Sequence, residues 1–215
     1  MKFPRLAAAI FRVLVHHVAA RRPPDFIVGH DSPDGAYLNR WFLTPWRPWQ
    51  RTLGERARAN PSWLNRTAER LARLLPNLYL HQFLRDDDDR ALHDHPSWGA
   101  SFLLSGSYIE HTIAAGGIHH RRWYKAGTLR FMRTRHAHRI ELNGPMHYRP
   151  EHDDDGNVVS VIGTRLPERY ACWTLFLFGP VVREWGFHCP ENGWVHWREF
   201  TAAGDPGMTG PGCDA

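Results

Sequence analysis

The chain has 215 residues, 42% of them hydrophobic and 23% charged, with 15 histidines, 10 tryptophans and a formal net charge of +5. This composition excludes a fibrous or intrinsically disordered chain, and the length suits one domain with a substantial core. No apolar run is long enough to span a bilayer. Basic residues recur along the whole chain, a pattern that fits an acidic substrate or a polyanion without specifying either.

Residues from Pro4 to about Ala20 read as a helix, with Leu6, Ile10, Val13, Leu14 and Val18 near helical spacing and Pro23-Pro24 as its stop. Lys2 and Arg5 ahead of Leu6–Phe11 imitate a signal peptide, but Arg12, His16 and His17 interrupt the apolar stretch and no small-x-small cleavage site follows. A docked amphipathic helix is expected, with a membrane-surface helix as the alternative because Arg21-Arg22 close the segment. Phe26–Val28 and Tyr37–Leu43 read as strands around a turn at Asp31–Gly35.

From Pro45 to Pro76, Trp46, Trp49 and Trp63 punctuate a basic segment. Pro61 or Ser62 starts a helix there, with Trp63, Leu64, Thr67, Leu71 and Leu74 as its apolar stripe. Tryptophan with arginine invites a nucleic-acid reading, through stacking and phosphate contacts. The continuous stripe, with no nucleic-acid motif beside it, points instead to a helix packed on the outside of a sheet with its arginines solvated.

Strand patterns then follow at Leu78–Leu84, Ala100–Leu104, Ser107–Thr112, His119–Tyr124, Thr128–Met132, His138–Leu142 and Ala171–Phe178, the last apolar enough for the centre of a sheet. Asp86–Asp89 is expected to be a solvated turn with a role in holding Arg85 or Arg90, and Glu151–Gly156 a loop with solvent-facing acids. Arg183–Pro190 and Trp194–Phe200 either line the mouth of a barrel or close its end. The expected organisation is a helical extension with edge strands over 1–76, a β-barrel or sandwich over 77–200, and a poorly ordered Gly- and Pro-rich tail over 201–215. The fold class is all-β with added N-terminal helices. Cys172, Cys189 and Cys213 form no Cys-x-x-Cys pair. Their odd number argues against a disulfide scaffold or zinc ribbon and suits a reducing compartment, hence a cytoplasmic location.

Two short patterns carry chemistry. His93-Asp94-His95 places two imidazoles on one face if the backbone is extended, and His136-Ala137-His138 repeats the arrangement one hairpin later. Two such pairs flanking a hairpin are what a metal pocket inside a small β-barrel needs.

At these residues the chain resembles the cupins. His93, His95 and Gly106 fall in register with the first cupin motif, and Gly127 and His138 with the second. The resemblance runs from about Leu78 to Phe178 and departs twice: the usual glutamate position is Gly99, and the Pro-x-Gly of the second motif reads Arg133-Thr134-Arg135. It implies a jelly-roll sandwich or barrel holding a divalent transition metal on His93, His95 and His138, with His136 either a fourth ligand or a neighbour that fixes a tautomer or meets substrate. Three imidazoles without a carboxylate suit iron(II) first, with zinc, manganese, nickel or copper as alternatives, and leave coordination positions open.

Tyr108, Glu110, His111 and Tyr124 are general acid–base candidates by residue type, with Tyr108, His111 and His136 the catalytic choices. Arg130, Arg133, Arg135 and Arg139 are candidates for recognising a small anionic substrate by paired hydrogen bonds. Near the metal, Cys189 beside His188 would be a ligand or an oxidisable thiol, and otherwise a packed small hydrophobe. Three functions follow: a metal-dependent oxygenase or decarboxylase; an isomerase, lyase or sugar-modifying enzyme using the ion as a Lewis acid; or a non-catalytic binding module, with the Trp/Arg segment on nucleic acid. The Trp-rich N-terminal half also offers a surface for a homodimer.

Overall fold

The computed structural model describes residues 2–87, 91–142, 147–152, 158–164, 171–202 and 207–214. Helix α1 (Pro4–Leu14) begins on a proline, whose missing N–H and fixed φ suit a first turn, and widens into a π-helical turn over Val15–Ala19. Strands β1 (Phe26–Val28) and β2 (Leu38–Phe42) precede a helical pair, α2 (Arg47–Ala59) and α3 (Trp63–Arg73). Ser62 caps α3, its Oγ accepting from the Asn65 N–H at 3.3 Å.

The β portion runs β3 (Asn77–Phe83), β4 (Leu92–His93), β5 (Gly99–Ser105), β6 (Ser107–Ile113), β7 (His119–Lys125), β8 (Leu129–Met132) and β9 (Arg139–Leu142), then β10 (His147–His152), β11 (Val158–Thr164), β12 (Cys172–Phe178), β13 (Gly186–Cys189) and β14 (Gly193–His196), with a final turn of helix α4 (Trp197–Phe200).

The largest sheet has the order β1-β2-β3-β12-β5-β8, and β12 is paired antiparallel along both edges, which accounts for its apolar composition. A second sheet, β7-β6-β9, faces it. Leu38, Phe83, Leu103 and Cys172 from the large sheet meet Tyr108, Ile140 and Leu142 from the small one, forming the core between them. On the outer face, Trp41, Leu80, Phe102 and Leu104 are covered by Ala7, Ile10, Phe11 and Leu14 of α1. Leu80 and Leu103 are completely buried, each contributing about 1.5–3 kcal/mol relative to exposure. A third sheet, β14-β13-β4, leans on one end.

The result is a two-sheet β-sandwich with helices added at its N-terminal side. Among the described residues it does not close into a barrel, since β1 and β8 remain the outer strands of the large sheet. The two motif glycines have backbone reasons. Gly106 turns β5 into β6 with φ +76°, and Gly127 has φ +87° with the backbone of Pro4 so close that a Cβ would meet it at 2.6 Å.

Three expectations meet a different arrangement. The apolar stripe of α3 does not pack on the sheet: Trp63 is 74% exposed and Leu71 62%, because α3 rests on α2 through the side that carries Ala72. Cys189 and Cys213 are joined in a disulfide. Together with the Thr209 N–H on Asp31 Oδ1 (2.9 Å), that bond holds residues 207–214, where composition alone suggests a loose tail. Of the acid runs, Asp88, Asp89 and the residues 153–156 lie outside the described residues, as does Arg90.

Candidate metal centre

The site is built on strand ends rather than on loops. The main chains of His93 and His138 form an isolated antiparallel bridge, and β4 is paired on its other side with β13, Phe187 opposite His93. Because side chains alternate, His93 and His95 turn to one side while Asp94 between them turns to the other. Asp94 is buried there, accepting from the Gly186 N–H (3.0 Å) and Trp194 Nε1 (3.2 Å) and pairing with Arg183 (2.8 Å). Those bonds fasten the ligand-bearing segment to β13 and β14.

One nitrogen from each of His93, His95 and His138 falls within 4.8 Å of the others. His95 Nε2 and His138 Nε2 are 2.9 Å apart. Two nitrogens bound to one tetrahedral ion at about 2.0–2.1 Å sit roughly 3.3 Å apart, so an ion needs this pair of rings to open by only a few tenths of an ångström. The far sides of two rings are held by carboxylates. Glu110 Oε1 lies 2.6 Å from His138 Nδ1, and Asp87 Oδ2 lies 3.2 Å from His93 Nδ1. A carboxylate on the outer nitrogen fixes the tautomer that presents a lone pair to an ion. Burial, followed by the neighbouring His138 and His93, pushes His95 well below its usual range. Burial likewise pushes His138 down to about 4, against the opposing pull of its hydrogen bond to Glu110.

The packing leaves no room for a side chain at Gly99. A Cβ on Gly99 would meet Phe176 Cζ at 2.6 Å. The Phe176 ring lies between His81 (centroids 5.4 Å) and His95 (6.3 Å), so an aromatic face occupies the space beside the histidines.

A second cluster shares His138. Glu110 Oε1 also receives His136 Nε2 at 3.0 Å and a very short contact from the guanidinium of Arg130. Burial on its own would raise the Glu110 carboxyl, but hydrogen bonds from His136 and His138 and the Arg130 charge hold it far below the usual carboxylate range. An ion placed among Glu110, His136 and His138 would displace donors already satisfied and stand beside the buried Arg130 cation. The His93–His95–His138 set is therefore the better fit to a divalent ion.

The remaining candidates separate. Tyr108 is buried and accepts from Arg130 Nη1 at 2.7 Å; Arg130 also lies over the Tyr124 ring at 4.5 Å. Burial pushes the Tyr108 hydroxyl well above its usual value. His111 points to the opposite face of β6 from Glu110, engaging His119 (2.9 Å) and Glu141 (2.8 Å) away from the cluster. Arg130 is committed to Glu110, Arg133 is exposed, and Arg139 sits opposite His111 on β9. Arg135 lines an open cleft of about 290 Å³ with Asp94, Arg183, His188 and Trp194. His188 therefore faces that cleft, and Cys189 is taken by its disulfide, so neither is available as a ligand. The residue that local sequence does not announce is Asp87. It belongs to an acid run with the composition of a solvated turn, yet it is 9% exposed and reaches His93, a placement made by the tertiary fold and not by any local pattern.

No family profile and no curated protein matches the chain. Among solved structures, oxalate decarboxylase from Bacillus subtilis at pH 4.6 is 15% identical with a TM-score of 0.34, over 55% of this chain and 25% of that one. An arginine-to-alanine variant of the same decarboxylase gives 16% and 0.33 over 51% and 23%. A structure of oxalate oxidase gives 11% and 0.34 over 61% and 51%. The chain thus spans about a quarter of the decarboxylase, and likeness at this level fixes neither reaction nor metal. By the chain's own residues, His93, His95 and His138 meet where the sandwich brings β4 against the start of β9, an arrangement that can hold a divalent ion.

Proposed function

We propose that this protein is a metal-dependent cupin-type enzyme that holds a divalent transition ion on His93, His95 and His138 and acts on a small anionic substrate, as an oxygenase or decarboxylase. The observation that carries the reading is the convergence of three imidazole nitrogens within 4.8 Å, two of the rings backed by carboxylates. An ion there supplies a Lewis-acidic centre with open positions for substrate or dioxygen. Iron(II) is the first candidate, and manganese, zinc or nickel would use the same nitrogens.

The chain's own groups do the rest. Glu110 and Asp87 hold the rings, while Phe176 excludes water from one side of the cluster. His136, about one-third exposed and 3.0 Å from Glu110, is the group placed to pass a proton between the site and solvent. Arg135, beside Arg183, has open space before it. That cleft is on the side taken by Asp94 and not by the histidine nitrogens, so Arg135 would attract an anionic substrate towards the site and not hold it at the ion. Action in the cytoplasm would require the Cys189–Cys213 pair to be reduced there.

The test is metal content of protein purified without added ions, for the wild type, His93→Ala and His138→Ala. Stoichiometric metal lost in both variants is the expected result. Iron or manganese directs the search to decarboxylation and oxygen-dependent reactions, and zinc or nickel to Lewis-acid chemistry. A folded wild type without metal, unable to take up any of these ions, ends the enzyme reading.

A further inference from the structure

We propose that the α2–α3 hairpin is a docking surface for anionic lipid bilayers. Nothing in this inference depends on the histidine cluster. The two helices lie against each other, Gln50 Nε2 donating to the carbonyls of Ala72 (2.8 Å) and Leu75 (3.1 Å). That packing leaves a continuous apolar stripe on α3 facing outward: Trp63 74% exposed, Leu64 60%, Leu71 62% and Leu74 59%, continued by Leu75. Trp49 of α2 is exposed as well. Leu71 follows Trp63 and Leu64 at i+8 and i+7, and Leu74 follows Leu71 at i+3, so these side chains share one face, and no described residue covers them.

The charge of the molecule is concentrated in the same place. Between Arg47 and Leu75 there are seven arginines and two glutamates, Glu55 and Glu69, an excess of five that equals the net charge of the whole chain. Basic residues recur elsewhere, but there they are balanced. Arg51 and Arg73 pair with those glutamates, whereas Arg66 and Arg70, flanking the stripe, have no carboxylate partner among the described residues.

This combination selects the occupant. A second copy would bring one such hairpin against another and set +5 against +5. Single-stranded nucleic acid could stack a base on Trp63 or Trp49, but it would leave Leu64, Leu71 and Leu74 exposed to water. An acidic protein groove would have to admit both helices, since α2 lies along α3 through Gln50 and Ala72. A bilayer surface needs only the outward face: leucines at the acyl boundary, tryptophan at the interface, arginines among anionic headgroups.

The experiment is flotation of the full chain with vesicles of phosphatidylcholine alone and of phosphatidylcholine mixed with phosphatidylglycerol, for the wild type, Leu71→Asp/Leu74→Asp and Arg66→Gln/Arg70→Gln. All four positions lie on the outer side of the hairpin, and circular dichroism checks that the variants fold. The wild type is expected to partition about tenfold or more in favour of the anionic vesicles, less so as salt rises. The leucine variant is expected to lose flotation, and the arginine variant to lose its preference for the anionic lipid. A wild type that stays in the aqueous fraction, or a leucine variant that floats as well as the wild type, overturns the proposal. A dimer in sedimentation that the leucine variant dissolves, with no flotation, assigns the face to a second copy instead.

Discussion

His93 and His138 exchange both main-chain hydrogen bonds, the His93 N–H to the His138 carbonyl at 2.9 Å and the reverse at 3.0 Å, and their rings lie 4.8 Å apart. Residues facing each other in this way in an antiparallel pair carry neighbouring side chains on one face. Two of the three proposed ligands are thus aligned by backbone, and what remains for side chains is ring orientation.

That division of labour predicts the effect of the carboxylates. Asp87→Asn keeps the shape beside His93 but removes the charge, and metal affinity is expected to fall about 10–100-fold with folding unaffected. Glu110→Gln is expected to weaken affinity similarly and also to cost about 3–5 kcal/mol of stability, because the buried Arg130 loses its counter-charge. Chelator competition and urea unfolding measure the two quantities separately. Wild-type affinity in Asp87→Asn would show that Asp87 does not set the ligand geometry.

The Phe176 ring makes Gly99 a matter of space. Gly99→Ala puts a Cβ into Phe176 and is expected to cost about 1–3 kcal/mol. Trimming the ring in Gly99→Ala/Phe176→Leu should recover part of that loss, so that the double variant is more stable than the sum of the single losses by about 1 kcal/mol. Strict additivity in urea unfolding would mean that the two positions do not compete.

How much of this is legible in the chain depends on the range of the interactions. Strands β3, β5, β6, β7, β8, β9 and β12 are readable because each alternates or is bounded by glycine turns, and Ser62 marks the start of α3 through its own capping bond. The His-x-His spacing announces a shared face for His93 and His95. Three features are not readable. The carboxylate on His138 comes from Glu110, which residue type marks as an acid–base candidate but which nothing local pairs with His138, and the one on His93 from Asp87, inside an acid run with the composition of a solvated turn. The direction of the α3 stripe is hidden because periodicity tells which residues share a face, not which face the rest of the fold covers. Cys213 finds Cys189 across a separation of 24 residues, a pairing no spacing rule supplies.

His81 gives the stability a pH dependence. Its Nε2 accepts from Arg40 Nε at 2.9 Å, and its ring is stacked between Tyr79 and Phe176. Burial, then the Arg40 charge, pushes it well below 6.5, so the folded state keeps it neutral where the unfolded chain takes up a proton. The contribution is fully present above about pH 6.5 and declines as pH falls below it, by about 1.4 kcal/mol per pH unit for one proton, until the folded imidazole itself titrates. His81→Gln retains an acceptor for Arg40 and should reduce the acid slope by about one proton. Urea unfolding across about pH 7.5 to 5 reads this slope, and an unchanged value would show that His81 is not held neutral.

The Cys189–Cys213 bond ties the last described segment to the strand that supports the proposed metal site. Cys189 belongs to β13 and packs with Ala91, Phe187 and Phe200, while Phe187 is the strand partner of His93. The same segment is held by the Asn192 side chain on the Cys213 carbonyl (2.7 Å) and by the Gly29 N–H on the Gly207 carbonyl (2.7 Å). Cys213→Ser is expected to lower stability by about 2–4 kcal/mol in the oxidised protein. Dithiothreitol should bring the wild type down to the level of the variant and leave the variant where it is. Because β13 flanks His93, the oxidised wild type should also hold its metal more tightly than the reduced one. Thiol titration before and after reduction, run with the unfolding curves, decides the matter: two titratable thiols at 189 and 213 in protein of full stability would show that the fold does not rely on this bond.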